Sequence, residues 1–194
     1  MKGRSGGMPQ MVFEYILKKN KIDPKKDLTI EQNIDFGSTG AAFAEGKGDY
    51  TVEFEPGATI LEQGGKGYVV ESLGKESGYV PYTAFCAKQS YIENNKEILQ
   101  SFTNAIQKGM EFVNSHSPQQ VAEVIKPQFQ DVTLDTITTI ISRYSEQDTW
   151  KEDLIFEKES FELLQDILEE AGELKKRAPY EKLVDTQFAE NAVK

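Results

Sequence analysis

The stretch DYTVEFEPGATILEQGGKGYVVES, residues 49–72, decides the reading of the fold. Residues 49–54 and 67–72, the latter with Tyr68-Val69-Val70, have the β-branched and aromatic content of strands. Between them, residues 57–63 read as a short helix that Gly64-Gly65 ends. Strand, helix and strand at such short intervals predict a mostly parallel sheet with covering helices. Moving outward toward the N-terminus, residues 38–47 suggest another short helix, and Leu28-Thr29-Ile30 a strand leading to Asn33. Pro9 follows Gly6-Gly7 at a natural helix start, with Met11, Val12, Tyr15 and Ile16 at three- and four-residue spacing. That helix ends near Lys18-Lys19-Asn20, where basic residues suit the negative end of the helix dipole.

Toward the C-terminus, residues 80–88 read as one more strand, and the pattern then turns helical. Residues 96–115 set Ile98, Leu99, Phe102, Ala105, Ile106, Met110 and Val113 on one broad face. Ser117 and Pro118 open the next helix as N-cap and first-turn residue. Residues 133–144 and 161–174 carry further apolar stripes. The expected organisation is an α/β lobe over residues 1–92 and a helical region over residues 93–194.

The totals narrow the function. The chain has 194 residues, 38% hydrophobic and 28% charged, with a formal net charge of -10. Such a field repels polyanions, so neither nucleic acid nor an anionic membrane surface is an expected partner. A single cysteine, Cys86, excludes an internal disulfide and a cysteine-based zinc site. A single histidine, His116, excludes a histidine-rich metal site, and no cofactor is expected. It lies between a helix end and Ser117-Pro118, where solvent exposure or contact with the helix C-terminus is its expected role. No apolar run reaches the roughly 18 residues of a membrane span, and residues 1–7 contain no apolar signal-peptide region.

Several segments, in order, carry a family resemblance: Ser5-Gly6-Gly7-Met8-Pro9-Gln10-Met11, Asn33-Ile34, Ala42-Phe43-Ala44-Glu45-Gly46, Asp49-Tyr50, Glu53-Phe54-Glu55-Pro56, Gly67-Tyr68-Val69-Val70, Val80-Pro81-Tyr82-Thr83-Ala84-Phe85 and Ala171-Gly172-Glu173-Leu174. Together they resemble the substrate-binding proteins of NitT/TauT-type ABC importers, which serve nitrate, sulfonates, taurine and pyrimidine precursors of thiamine. The resemblance implies a type II periplasmic-binding-protein-like fold, of which this chain holds the second α/β lobe, a return crossover strand and C-terminal helices. Most of the first lobe and the export signal are then expected outside this chain. It also implies an exported parent protein, periplasmic or anchored as a lipoprotein, with a small-molecule solute and ABC permease and ATPase subunits as partners. A chain lacking one lobe is further expected to self-associate through the apolar faces left uncovered.

Each candidate ligand residue has a plainer alternative. Ser5, Gly6, Gly7 and Met8 precede a helix, where glycines admit close backbone approach and free N–H groups face a polar ligand. Alternatively they form a tight turn. There is no P-loop or dinucleotide glycine pattern. Glu53 and Glu55 end an expected strand, where ligands of open α/β sheets collect; Glu55 otherwise orders the helix that follows. Asn33 offers an amide to the same rim or simply forms a turn. Tyr82 stacks on a ligand or fills a core. Arg143 either clamps an anion or pairs with a carboxylate, Glu146, Asp148 and Glu152 being near in sequence. Trp150 reads as packing.

No catalytic constellation is visible, and the expected role is binding without covalent chemistry. The alternatives are an enzyme resembling the pyrimidine synthases of thiamine biosynthesis, or a fragment that binds nothing. A lone Cys86 and His116 fit the enzyme reading poorly, because that family is known for a cysteine-rich motif and an active-site histidine.

Overall fold

The computed structural model describes residues 7–194. Gly7 caps α1 (Met8–Lys19) in an extended conformation, with Pro9 in the first turn and Lys18 and Lys19 in the last. A 3-10 turn, Phe36–Ser38, leads into α2 (Thr39–Ala44). Then come α3 (Gly57–Gln63), α4 (Leu73–Ser77), α5 (Gln89–Asn94) and the long α6 (Lys96–Ser115). The chain continues through α7 (Pro118–Ile125), α8 (Leu134–Glu146), α9 (Lys158–Glu170), α10 (Tyr180–Leu183) and α11 (Gln187–Ala192).

The expected α/β lobe of a type II binding-protein fold is not what the structure holds. Among the described residues there are helices, turns and extended loops but no strand. The segments read as strands, residues 28–30, 49–54, 67–72 and 80–88, form no ladder, and their backbone groups go elsewhere. Phe54 O accepts from Ala58 N as α3 begins, Val69 N donates to the Glu62 carboxylate, and Val80 N reaches only Gly78 O. Pro81 brings no donor at all. The side chains match: Tyr68 is 87% exposed and Phe85 78%, whereas a central strand of a covered sheet is buried on both faces.

The helices follow the sequence closely. Ser117 accepts from Gln120 N while the Gln120 side chain accepts from Ser117 N, a reciprocal capping box, and Pro118 sits in the first turn. Thr133 caps α8 by accepting from Thr136 N. His116 ends α6, exposed, its ring stacked on Phe112 and its Nδ1 2.9 Å from Phe112 O.

Two apolar clusters hold these helices. The first joins α1, α4 and α9: Met11, Val12, Ile16 and Ile167 are buried, with Met8, Leu73, Val80 and Leu163 against them. The second joins α6, α7 and α8 through Val121, Ala122, Ile137 and Ile141, with Phe112 and Trp150 packed alongside. Amphipathic spacing explains both: positions three and four apart share a helix face and meet the matching face of a neighbour. The stripe on α6 is only part covered. Leu99, Ile106 and Met110 are half-buried, whereas Ile98 and Phe102 are exposed, Phe102 meeting the edge of Phe85.

Ile167 is 1% exposed at the centre of the first cluster. Ile167→Ala removes buried methyl groups and leaves a cavity, so unfolding in urea should show a loss of about 2–5 kcal/mol. Stability unchanged within error would show that α9 is not packed on α1 in solution.

Candidate functional site

The chemistry concentrates where α3 meets α8. Glu55, Thr59 and Glu62 stand at i, i+4 and i+7, a spacing that places them on one side of α3 and the residues leading into it. Arg143, from the last turn of α8, reaches all three. Its Nη1 donates to Glu55 Oε1 at 2.7 Å and to Thr59 Oγ1 at 2.9 Å, and its Nη2 donates to Glu62 Oε2 at 2.6 Å. The Glu55 side chain is 7% exposed and Arg143 18%, so the pair is largely out of water. Glu55 Oε2 also accepts from Thr59 N at 3.0 Å, ordering the first turn of α3. Glu62 Oε1 accepts from Val69 N, which ties residues 67–72 to the same helix. Thr136 Oγ1 donates to Gln63 Oε1 at 2.9 Å, a further link between the helices.

These contacts set the ionisation. The Val69 N–H bond first, and Arg143 second, hold the Glu62 carboxyl below its usual 4.5. Burial works against the Arg143 charge, but Glu55 and Glu62 outweigh it and raise its pKa further above the ordinary arginine value. Tyr144 beside it is pushed up by burial and by the Glu55 charge. It also meets Trp150 edge-on at 5.6 Å.

The candidate residues from the sequence fall in different places. Ser5 and Gly6 lie outside the described residues. Gly7 O accepts from Gln10 N and Met11 N as α1 starts, and Met8 packs on the first cluster. Asn33 is exposed in the loop before the 3-10 turn. Glu53 is half-buried, accepts from Thr51 Oγ1 at 2.9 Å, and fits beside Gly40 and Gly57; a Cβ on either would stand 3.5–3.6 Å from its Oε2. Tyr82 is 61% exposed and meets Phe54 edge-on at 5.8 Å. The structure thus gathers Glu53, Phe54, Glu55 and Tyr82 around the turn into α3, while Gly7 and Met8 belong to the α1 cluster.

Arg143 pairs with carboxylates, as its plainer reading had it, but with Glu55 and Glu62, more than 80 residues upstream, and not with its neighbours in sequence. Glu62 and Thr59 were not singled out; the spacing they share with Glu55 was the available signal. Glu55 orders α3, as its plainer reading had it. A separate cavity of about 530 Å³ opens beside the ends of α1 and α9, lined by Lys18, Lys21, Lys25, Asp23 and Glu170 among others, and none of the described site candidates is among its lining residues. Among the described residues no three His, Cys, Asp or Glu side chains converge as a metal site, and no helix is long and apolar enough to cross a membrane.

Residues 1–120 match the family described as NMT1/THI5 like. Over 187 residues, 96% of the chain, the sequence is 47% identical to the Bacillus subtilis (strain 168) protein named "Putative binding protein YtlA". The chain spans 56% of that relative's length. No solved structure matches significantly.

The Glu62 geometry fixes a pH dependence. Its folded pKa lies below the unfolded value, so its contribution is complete above the ordinary carboxylate range and is lost as pH falls through the lowered pKa. The solvent-accessible Asp23 and Glu181 carboxyls are lowered too, by their own hydrogen bonds, and act in the same direction. Glu62→Gln should melt below wild type at pH 7, and the gap should narrow by about pH 3. A gap independent of pH would remove Glu62 from this role.

Proposed function

The chain belongs to the NMT1/THI5-like family, and on that premise we propose that it is the solute-binding component, or part of one, of an ABC-type importer. The observation that supports this most is its 47% identity over nearly its full length to a relative named as a binding protein. In this role the chain captures a small nitrogen- or sulfur-containing solute outside the membrane, in a periplasm or on an anchor, and releases it to a permease driven by ATPase subunits. Binding, not turnover, is the activity.

Within this reading the candidate solute contacts are Ser5, Gly6, Gly7, Met8, Asn33, Glu53, Glu55 and Tyr82, although Met8 packs in the α1 cluster and the Glu55 carboxylate is held by Arg143 and Thr59 N. The best-supported portion is the turn into α3. Tyr82 presents an accessible ring, Phe54 backs it edge-on, and Glu53 adds a carboxylate next in the chain. An aromatic face beside a hydrogen-bond acceptor suits a flat solute with amino donors. That favours a thiamine-precursor pyrimidine over nitrate, taurine or a sulfonate. Among the described residues at this turn the cation is Arg143, which two carboxylates already hold, so a bare anion finds less there to bind than a donor does.

The test is a thermal-shift panel of aminopyrimidines, taurine, alkanesulfonates and nitrate, run on wild type, Tyr82→Ala and Glu53→Gln. An aminopyrimidine at 100 times its Kd should stabilise the wild type by about 2.7 kcal/mol, and either variant should need several-fold more ligand for the same shift. A shift with an anion alone would keep the binding role and overturn the solute class. No shift with any solute would overturn the binding role for this chain.

A further inference from the structure

We propose that α2 and α3 form a module that opens from α8 as a unit, with the Arg143 fork as its latch. This inference rests on the packing and hydrogen bonding of the helices and stands or falls separately from the solute reading.

Neither apolar cluster takes a side chain from α2 or α3. The two short helices pack instead on each other. Thr39 and Ala42 of α2 are buried, Gly40 leaves room for Leu61, whose Cδ1 stands 3.5 Å from where a Cβ would be, and Thr59 is buried on the side of α3 that meets Arg143. The Phe43 ring lies so close to Gly67 that a Cβ there would meet it at 2.7 Å, which closes the module at its C-terminal end. The chain before it, residues 28–35, and after it, residues 67–72, has neither helix nor strand.

Among the described residues, the side-chain bonds that join this module to α8 are the three from Arg143 and the Thr136–Gln63 bond, with the half-buried Tyr144 beside Glu55. Breaking them in concert lets water solvate both sides, so the net cost is far below the sum of the bonds in isolation. α8, by contrast, is fixed to α7 by Ile137 and Ile141, and opening there exposes apolar surface. The module is therefore the low-stability unit, and α7 with α8 the high-stability one. The planar fork of the guanidinium holds Glu55 and Glu62 at once in a fixed geometry that a lysine ammonium on its flexible stem does not reproduce.

Hydrogen–deuterium exchange on the whole chain reads this directly, comparing wild type, Arg143→Lys and Glu62→Gln. In the wild type the amides of α3 should exchange together and faster than those of α8. In Arg143→Lys, exchange across α3 should speed up by about tenfold or more while α7 and the first two turns of α8 keep their wild-type rates. Glu62→Gln, which keeps the buried Glu55 partner, should give a smaller acceleration confined to the same segment. Acceleration spread equally over α3, α7 and α8, or an unchanged α3 in both variants, overturns the latch. Should Arg143→Lys not fold, Glu62→Gln decides by the same criterion.

Discussion

One guanidinium constrains how the middle of this chain is arranged. Arg143 is mostly out of water, and an arginine keeps its charge, so it demands carboxylates nearby. Glu55 and Glu62 supply them, and in doing so α3 acquires its first-turn bond, its attachment to α8 and its tie to residues 67–72. Removing one partner of such a pair leaves a buried charge uncompensated, at about 3–5 kcal/mol, although replacing the whole set by apolar groups is often neutral. The network is therefore better understood as specifying where α3 sits than as a source of net stability.

The rest of the chain reaches order by different means. Around α6, side-chain amides do work that backbone ladders do elsewhere. Gln107, 4% exposed, donates to Glu152 O at 3.2 Å, and Asn114 donates to Lys151 O at 2.7 Å, stitching the segment before α9 to the long helix. Trp150, two residues from Glu152, then packs into the cluster built by α7 and α8. The Tyr79 hydroxyl donates to Asp148, and Ser72 Oγ donates to Gln147 Oε1, so the loop that leaves α8 is also held by the segments around α4. Long-range polar bonds of this kind fix positions without a continuous core.

That division explains what was legible in the sequence. Helices announce themselves locally: Ser117-Pro118, the stripe on residues 96–115, the basic end of α1 and the Gly64-Gly65 stop each needed only neighbouring residues to be read, and each is where expected. Strands do not. Tyr68-Val69-Val70 has the composition of a strand, but a strand exists only with a partner, and here Val69 N gives its hydrogen to Glu62. The same limit hid the α3–α8 junction. Arg143 was visible as a residue needing an acid, and three acids lay near it in sequence. The choice of Glu55 and Glu62 was made by the packing of helices far apart in the chain, which no local window contains.

The electrostatics of the whole molecule and of its candidate site point the same way. A net charge of -10 disfavours the approach of anions unless a local group outweighs it. Among the described residues, the balance at the turn into α3 is also acidic, since Glu53, Glu55 and Glu62 stand against Arg143, whose donors reach Glu55, Thr59 and Glu62. An anion entering there would have to displace a carboxylate that already orders a helix. A neutral or cationic solute with N–H donors meets no such competition, and the exposed ring of Tyr82 offers it a surface whose value does not depend on charge. The aromatic and acidic character of this turn is therefore an electrostatic statement in its own right: a donor that approaches it meets acceptors and a ring, whereas an anion meets carboxylates first.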